Sequence, residues 1–408
     1  MGLKLGGDFV KLIVECDISE RTEAIISEIC RVKYCLPDLG FYVVEIEKDD
    51  FPKAERLSVI GAVHATARIE TQNRAQNKTH DGPQGEVLAN TLVRRGWAGW
   101  PPVMNRLVPK DGEKAAIAFL DTGVSPVADL TEPENRIIAF KDFIGGEEKP
   151  YDDNAHGTHV TSVAAGNGTA SEGRHLGVAP DCRVVSVKIL DHNGEGDAAE
   201  FMAGIQWILS NKDKYNVRVA NMSVGASDLA GSAPLIKAVE IAWDKGIVVC
   251  AAAGNNGPGP GTVTLPGQSR KIITVGSSDD HRLTQIRGIS LINFSGRGPT
   301  RDCIVKPDII APGANIVGCM ALESRLTGRR IKEISAHKSS DGYIMMSGTS
   351  MSTPIVSGAV ALLLEKNPRL QPNDVKYLLK KTAIDLGYPS NQQGWGALNL
   401  DGLLNSEH

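Results

Sequence analysis

The sequence has few aromatic residues, little net charge and no long apolar run. Aromatic residues make up 5% of its 408 residues, and its formal net charge is −4. A charge balance this close to neutral gives no reason to expect nucleic acid or an anionic membrane surface as a partner. The apolar runs all fall short of the roughly 18 to 20 residues that span a bilayer. We therefore expect no nucleic acid and no membrane among the partners.

Cysteines are also few, and their spacing matches neither a metal site nor a redox motif. The seven cysteines are an odd number, none forms a CxxC pair, and several stand in apolar strand patterns. This arrangement predicts buried free thiols, with a Cys30–Cys35 disulfide as the alternative. The first residues lack the apolar segment of a secretory signal. Together these absences predict a cytoplasmic protein.

Apolar strands alternate with helices over most of the chain. The predicted strands are 115–120, 184–190, 218–223, 247–252 and 271–275, and the predicted helices are 156–165, 197–210, 234–245, 349–365 and 372–382. Near-continuous Val, Ile and Ala strands flanked by helices indicate an α/β fold, a parallel sheet with helices on both faces. Ligands of such sheets bind beyond the carboxyl ends of the strands, where Asp121, Ser223 and Asn255 stand.

The first 70 residues follow another pattern. We predict a β-α-β-β-α-β order, typical of a small α+β ferredoxin-like unit, and can place three of its strands, over 9–15, 41–46 and 63–69, and its helices, over 23–30 and from Phe51. The polar stretch from Glu70 to Glu86 predicts an exposed linker, the kind of segment that proteases cut.

Four polar motifs stand at the ends of predicted strands or the starts of predicted helices. They contain Asp121 before Thr-Gly, His156 in His-Gly-Thr-His, Asn255 in Ala-Ala-Gly-Asn, and Ser350 in Ser-Gly-Thr-Ser-Met-Ser-Thr-Pro. A serine hydroxyl is a weak nucleophile unless a base removes its proton. A histidine, with an ordinary pKa of about 6.5, is a suitable base when a carboxylate fixes its tautomer.

In this order the four motifs resemble those of the subtilisin-like serine proteases (subtilases), over about residues 93–404. The order Asp, His, Ser is that of subtilisin itself. The resemblance implies that Asp121 orients the histidine, that His156 is the general base and then acid, and that Ser350 is the nucleophile. It makes Asn255 the side-chain donor of the oxyanion hole. Further motifs resemble the intracellular bacterial branch: 150–154, 294–299, 306–313 and the insertion 323–338.

The same resemblance implies a substrate groove and an S1 pocket. The pocket walls would be Ser223, Val224, Gly225, Ala252, Ala253 and Gly254. Thr264 falls where many relatives have a glycine at the pocket floor, so we expect a shallow pocket that favours medium apolar or small P1 side chains. An extended peptide would pair as an added strand between residues 223–225 and a loop near 191–196.

The N-terminal unit then resembles an inhibitory, folding-assisting prodomain. The predicted domains are 1–70 (prodomain), 71–93 (cleavable linker and mature N-terminal segment) and 94–408 (catalytic domain). The expected partners are protein or peptide substrates and the chain's own prodomain, acting as an intramolecular inhibitor. A docking or regulatory domain without inhibitory role is the alternative for this unit.

The sequence supports a metal site less well than it supports the four catalytic candidates. His156 and His159 are three residues apart, but the motif is not HExxH. The run from Asp191 begins like an EF-hand, yet Met202 stands where the loop needs glutamate. Asp129 matches a calcium ligand of the family, whereas the loop 166–175 departs from it. We expect no cofactor in the chemistry and assign no metal ligand. Whether the chain binds a structural calcium, and where, is left open.

The sequence therefore predicts a serine endopeptidase made as a self-processing zymogen. A dedicated processing protease with few targets is one alternative. A catalytically inactive subtilase fold that serves as a binding module is the other, and the intact Asp121, His156, Asn255 and Ser350 speak against it.

Overall fold

The computed structural model describes residues 9–71, 114–226, 232–286, 289–322 and 342–406. Residues 9–67 form an N-terminal unit, and the residues from 114 onward form a larger α/β unit. The predicted linker and mature N-terminal segment, residues 71–93, lies outside the described residues except for Thr71.

The N-terminal unit is a four-stranded antiparallel sheet in the order β2-β3-β1-β4. Its strands are β1 (Phe9–Glu15), β2 (Arg31–Leu36), β3 (Phe41–Glu47) and β4 (Ala62–Ala65), with helix α1 (Glu20–Ser27) and a 3₁₀ helix (Lys48–Val59). Ser19 caps α1 by accepting the Thr22 N–H at 3.2 Å. The sheet confirms the ferredoxin-like prediction, although the second helix is 3₁₀ and not α.

The prediction of one closing strand over 63–69 is wrong. The chain leaves the sheet after β4, and a separate strand, β5 (Arg68–Thr71), pairs with the α/β unit instead. Ala67 and Ile69 are buried in the core of that unit, so apolar burial draws β5 away from the N-terminal sheet.

The α/β unit is built on a seven-stranded parallel sheet in the order β16-β13-β12-β10-β6-β8-β7. Its strands in chain order are β6 (Ala116–Asp121), β7 (Ile137–Asp142), β8 (Arg183–Lys188), β10 (Val217–Met222), β12 (Val248–Ala252), β13 (Ile273–Ser277) and β16 (Ile309–Ala311). The five predicted strands are all present. Sequence analysis missed the two edge strands, because β7 is half exposed and β16 has only three residues.

Short strands complete the unit. They are β9 (Glu195–Asp197), β11 (Val224–Gly225), β14 (Thr284–Ile286), β15 (Ile289–Leu291), β17 (Ile316–Cys319) and β18 (Tyr343–Met346). The strands β11, β5 and β9 form an antiparallel sheet with β5 in the middle.

Helices cover both faces of the parallel sheet, as predicted. They are α2 (Ala128–Thr131), α3 (His156–Ala165), α4 (Ala198–Tyr215), α5 (Ser232–Asp244), α6 (Thr349–Lys366), α7 (Pro372–Thr382), α8 (Ser390–Gln393) and α9 (Leu400–Leu404), with a 3₁₀ turn at Thr169–Ser171. Helix α6 is buried along nearly its whole length because small side chains fill its first turns and apolar ones most of the rest, which leaves it without a charged face. It packs on β10, β12 and β13, which fixes Ser350 near their carboxyl ends.

None of the helices in the described ranges is long and apolar enough to cross a bilayer. All seven cysteines are free, so the Cys30–Cys35 disulfide does not form. Cys182, Cys250 and Cys319 are buried as predicted, but Cys35 and Cys303 are exposed.

Candidate active site

A buried carboxylate–imidazole pair lies at the carboxyl end of β6. Asp121 Oδ1 lies 2.7 Å from His156 Nδ1, and both residues are 1% exposed. The Thr122 N–H donates to the same oxygen at 2.8 Å. With Nδ1–H bound to the carboxylate, Nε2 is left to accept a proton. His156 Nε2 has no hydrogen-bond partner within the described part of the chain.

Asp152 organises the turn that precedes His156, a role that sequence analysis missed. Its Oδ1 accepts the Thr122 hydroxyl at 2.9 Å and the Ala155 N–H at 2.9 Å. Its Oδ2 accepts the N–H and the hydroxyl of Thr158, at 2.8 and 2.7 Å. One carboxylate thus joins the residue after Asp121 to the first turn of α3. The sequence signal was only the polar run 151–154.

Lys188 is the second residue that sequence analysis missed. It is fully buried at the end of β8, and its Nζ donates to the Thr122 and Leu190 carbonyls at 2.6 and 2.9 Å and to Asp153 Oδ1 at 2.7 Å. This ammonium ties the segment after Asp121 to the strand that leads into the cleft rim. A lysine within an apolar strand pattern was the available signal.

Ser350 is the second residue of α6 and is fully buried. Its Oγ donates to the Ser223 carbonyl at 2.9 Å, not to His156. In return, Ser223 Oγ donates to the Ser350 carbonyl at 2.8 Å. Asn221 supports this pair: it donates to Ser223 Oγ at 3.0 Å and accepts the Ser357 hydroxyl at 2.8 Å. These bonds join the end of β10 to the start of α6.

Asn255 is held beside Ser350 through its carbonyl oxygen. Asn255 Oδ1 accepts the Thr349 N–H at 2.9 Å and the Thr349 hydroxyl at 3.1 Å. The same hydroxyl accepts the Gly254 N–H at 3.1 Å. Because Oδ1 is bound on this side, the amide of Asn255 is directed away from the backbone of Thr349 and can donate elsewhere.

A groove beside Ser350 holds a strand of the chain itself. In the β11-β5-β9 sheet, Thr71 pairs with Val224, and Glu70 pairs with both Gly225 and Glu195. The Thr71 N–H donates to the Gly194 carbonyl at 2.8 Å. The flanking strands are those between which sequence analysis places an extended substrate. The rest of the segment expected there, up to Lys78, lies outside the described residues.

The predicted S1 residues line one region next to this strand. Val224 and Gly225 form β11, and Ala252 ends β12 ahead of Ala253 and Gly254. Thr264 donates its N–H to the Ala253 carbonyl at 3.0 Å. Its side chain lies so close to Gly254 that a Cβ at that glycine would be 2.6 Å from both Thr264 Oγ1 and Cγ2. Thr264 therefore packs directly against Gly254, and the shallow pocket stays a prediction.

Asp129, which matches a calcium ligand of the family, has hydrogen-bond donors of the chain as its partners. Its carboxylate is buried and accepts three donors: the Tyr343 hydroxyl at 2.6 Å, the Ala170 N–H at 2.8 Å and Cys319 Sγ at 3.4 Å. A calcium site needs six to eight oxygen ligands, and these three groups present hydrogens to the carboxylate instead. No cluster of three metal-ligating side chains occurs among the residues with described positions.

His159 is a packing residue of α3. It is fully buried, and its Nε2 lies 3.1 Å from the Ile316 carbonyl, to which it donates. Burial lowers the pKa of His159 to about 3, so the imidazole is neutral. The structure thus gives no support to a metal site at the two histidines.

Three comparisons relate the chain to known proteins. Residues 112–396 match the Peptidase_S8 family, described as the subtilase family. The chain is 41% identical over 298 residues to "Serine protease AprX" of Bacillus subtilis (strain 168), covering 71% of this chain and 66% of the relative. It is 33% identical over 302 residues to "Subtilisin Savinase" of Lederbergia lenta, covering 74% of this chain and 94% of the relative.

Among solved structures, the chain resembles fervidolysin from Fervidobacterium pennivorans, a keratinolytic enzyme related to subtilisin. The TM-score is 0.72 at 23% identity, and the match covers 100% of this chain and 62% of that chain. At this identity the likeness supports the fold alone. The chain spans under two thirds of the length of AprX and of fervidolysin.

Proposed function

The chain belongs to the subtilase family of serine proteases, and on that premise we propose that it is a serine endopeptidase inhibited by its own N-terminal unit. The observation that carries the proposal is strand β5, which lies between β9 and β11 as an added strand. A groove that accepts extended backbone from both sides is suited to a polypeptide substrate, because main-chain hydrogen bonds give affinity for any sequence.

In the proposed mechanism, Asp121, His156 and Ser350 act as a triad. The Ser350 hydroxyl turns from the Ser223 carbonyl to His156 Nε2, gives up its proton and attacks the substrate carbonyl. Asp121 accepts the Nδ1–H bond and stabilises the imidazolium. His156 then protonates the leaving amine, and a water molecule reverses the steps to release the acid and restore the serine.

Negative charge develops on the carbonyl oxygen during the attack. We assign its stabilisation to the amide of Asn255 and the backbone N–H of Ser350. The Thr349 hydroxyl supports this role, because it holds Asn255 Oδ1 at 3.1 Å before any substrate arrives. Donors fixed in advance stabilise the transition state without reorganising.

The register of β5 leads to a proposed processing point. Glu70 and Thr71 pair with Gly225 and Val224, so β5 runs towards Ser223 up to Thr71, its last described residue. The Ser223 carbonyl accepts the Ser350 hydroxyl at 2.9 Å. We therefore assign the self-processing cut to the bond between Gln72 and Asn73. The domain bounds 1–70, 71–93 and 94–408 stay predictions.

Labelling with a fluorophosphonate distinguishes an enzyme from a binding module. Wild-type protein should be labelled at Ser350 and should hydrolyse a denatured protein, whereas Ser350→Ala should do neither. Labelling of the alanine variant to the same extent would remove Ser350 from the role of nucleophile.

The losses of activity caused by substitutions within the triad should not add. The double variant with His156→Ala and Ser350→Ala should therefore be little less active than either single variant.

A dedicated processing protease remains the second candidate function. Hydrolysis of a diverse peptide library would support a general endopeptidase, whereas cleavage confined to one or a few sequences would favour the dedicated enzyme. A cytoplasmic location also stays a prediction, which cell fractionation tests.

A further inference from the structure

Strand β5 directs one face towards the core of the α/β unit and the other towards the rim of the groove. Ile69 and Thr71 are 2% and 4% exposed, whereas the side chain of Arg68 is 51% exposed. Successive side chains of a strand point to opposite faces, so Arg68 and Glu70 share the face at the rim. The groove therefore holds an extended chain with Ile69 and Thr71 inward and Arg68 at its edge.

Arg68 is bound at this edge by Glu195 of β9. Its Nη2 forms an ion pair with Glu195 Oε1. In the ladder between the two strands, Arg68 lies opposite Asp197, so Glu195 is its diagonal neighbour and within reach of a long side chain. Because main-chain pairing sets which residues are neighbours, an extended peptide in the place of β5 would put its corresponding side chain against Glu195.

A cavity of about 400 Å³ adjoins this ion pair, and its charges differ in sign according to the unit that supplies them. The cations of its lining belong to the N-terminal unit and to β5: Lys11, Lys33 and Arg68. The carboxylates of its lining belong to the α/β unit: Asp191, Glu195, Asp197 and Glu200. Phe143 and Ile144 add apolar surface. Once the N-terminal unit and β5 leave, this end of the groove keeps the carboxylates and loses the cations that now face them.

On the basis of the proposed function, we infer that the enzyme prefers substrates with arginine at the Arg68 position, three residues before the one that pairs with Val224, and that Glu195 determines this preference. The occupant seen in the structure is an arginine of an extended strand, which is the form in which a substrate would bind. Arginine suits the site because its planar guanidinium matches a carboxylate and its stem packs on apolar surface.

Two fluorogenic peptides that differ in a single charge test the inference. Both have the form Ala-Xaa-Ile-Glu-Thr-Leu-coumarin amide, with arginine or citrulline at Xaa, and citrulline keeps the shape of arginine without its charge. The kcat and KM values are measured on self-processed enzyme freed of its N-terminal unit, as wild type, Glu195→Gln and Glu172→Gln. Glu172 is an exposed glutamate outside the strands of the groove and outside the lining of the cavity, and serves as the control.

We expect wild type to favour the arginine peptide in kcat/KM by about fivefold at low salt, the upper end of the effect of a partly exposed ion pair. The preference should lie in KM, because the pair forms equally in the bound substrate and in the transition state. Glu195→Gln should bring the ratio near one by raising KM for the arginine peptide, and Glu172→Gln should keep the preference. Salt at about 1 M should weaken the preference in wild type, since it screens exposed charges.

A wild-type ratio at or below one overturns the inference, even if Glu195→Gln does not fold. A ratio that Glu195→Gln leaves unchanged, or that Glu172→Gln lowers to the same extent, also overturns it.

Failure of the proposed function would look different. If wild type cleaved neither peptide and no protein substrate, or if Ser350→Ala cleaved them equally well, the protease assignment itself would fail. Cleavage that requires Ser350 but does not depend on the charge of the peptide would overturn only the preference for arginine.

Discussion

At the scale of the residue, reactivity depends on which acceptor holds the Ser350 hydroxyl. Ser350 Oγ donates to Ser223, while His156 is already bound to Asp121 at 2.7 Å. The proposed base is thus oriented in advance, and the proposed nucleophile has to leave the Ser223 carbonyl before it can attack. Hydrogen bonds of catalytic groups commonly tighten only when substrate is bound.

Asn255→Ala tests the oxyanion hole. Its amide should bond the carbonyl oxygen more strongly in the transition state than in the bound substrate, so kcat should fall while KM changes little. A loss of about 10²–10³ in kcat is expected, the size known for the side-chain donor of subtilisin. Steady-state kinetics on a peptide substrate measure it, with the exposed Asn405→Ala as control. A change confined to KM would contradict the assigned role.

At the scale of the element, helix α3 carries one histidine of the proposed triad, His156, and one packing residue, His159. His159 lies against β17, where a Cβ on Gly318 would come within 2.9 Å of its ring. Burial lowers its pKa to about 3. The folded state therefore keeps His159 neutral, whereas the unfolded chain binds a proton below about pH 6.5. Stability from this residue is complete above that pH and is lost as the pH falls towards 3.

His159→Gln should flatten the dependence of stability on pH. Glutamine keeps a donor for Ile316 and does not titrate, so the change should remove a slope of about 1.4 kcal/mol per pH unit below about pH 6. Urea unfolding at about pH 7 and about pH 5, in a Ser350→Ala background to prevent self-digestion, measures the slope. The exposed His281→Gln is the control. A slope equal in His159→Gln and its parent would rule out the proposed cause.

Long apolar segments explain what the sequence could predict at this scale. The five central strands and five main helices follow from continuous or 3.6-residue patterns, and the four catalytic candidates lie at their ends. The strand β16 has three residues, which carry too little pattern to identify. The break between β4 and β5 falls at Thr66–Ala67, which has no glycine or proline to mark it. Hydrogen bonds between distant segments, such as the one between Asn221 and Ser357, depend on how the helices pack, which local sequence patterns do not reveal.

At the scale of the whole molecule, the N-terminal unit meets the α/β unit through charge pairs. Lys11 Nζ lies 2.7 Å from Asp197 and 2.9 Å from Glu200, at the start of α4, and Lys11 is 6% exposed. Lys33 also binds Glu200, at 2.7 Å. Burial works against the charge of Lys11, but the two carboxylates outweigh it and raise the pKa of Lys11. These ion pairs lie outside the groove and attach the N-terminal unit, which leads into β5, to the α/β unit.

Lys11→Ala should loosen this docking. Removing Lys11 leaves the buried Asp197 carboxylate without its cation, at a cost of about 3–5 kcal/mol, whereas Glu200 keeps Lys33. The lag before full-length protein shows peptidase activity should therefore shorten several-fold. Lys53→Ala is the matched control, because Lys53 pairs with Asp50 on the exposed side of the same unit. Equal lags in the two variants would show that the Lys11 contacts do not restrain activation.

Intact-mass measurement of purified wild type beside Ser350→Ala tests the central claim most directly. Self-processing in the register of β5 predicts that wild type loses residues 1–72 and gains activity, because Ser350 cuts the strand that lies in its own groove. The alanine variant should stay uncut, with the N-terminal unit attached. An active wild type that keeps the bond after Gln72 intact, or a Ser350→Ala chain cut at the same bond and rate, would contradict the account.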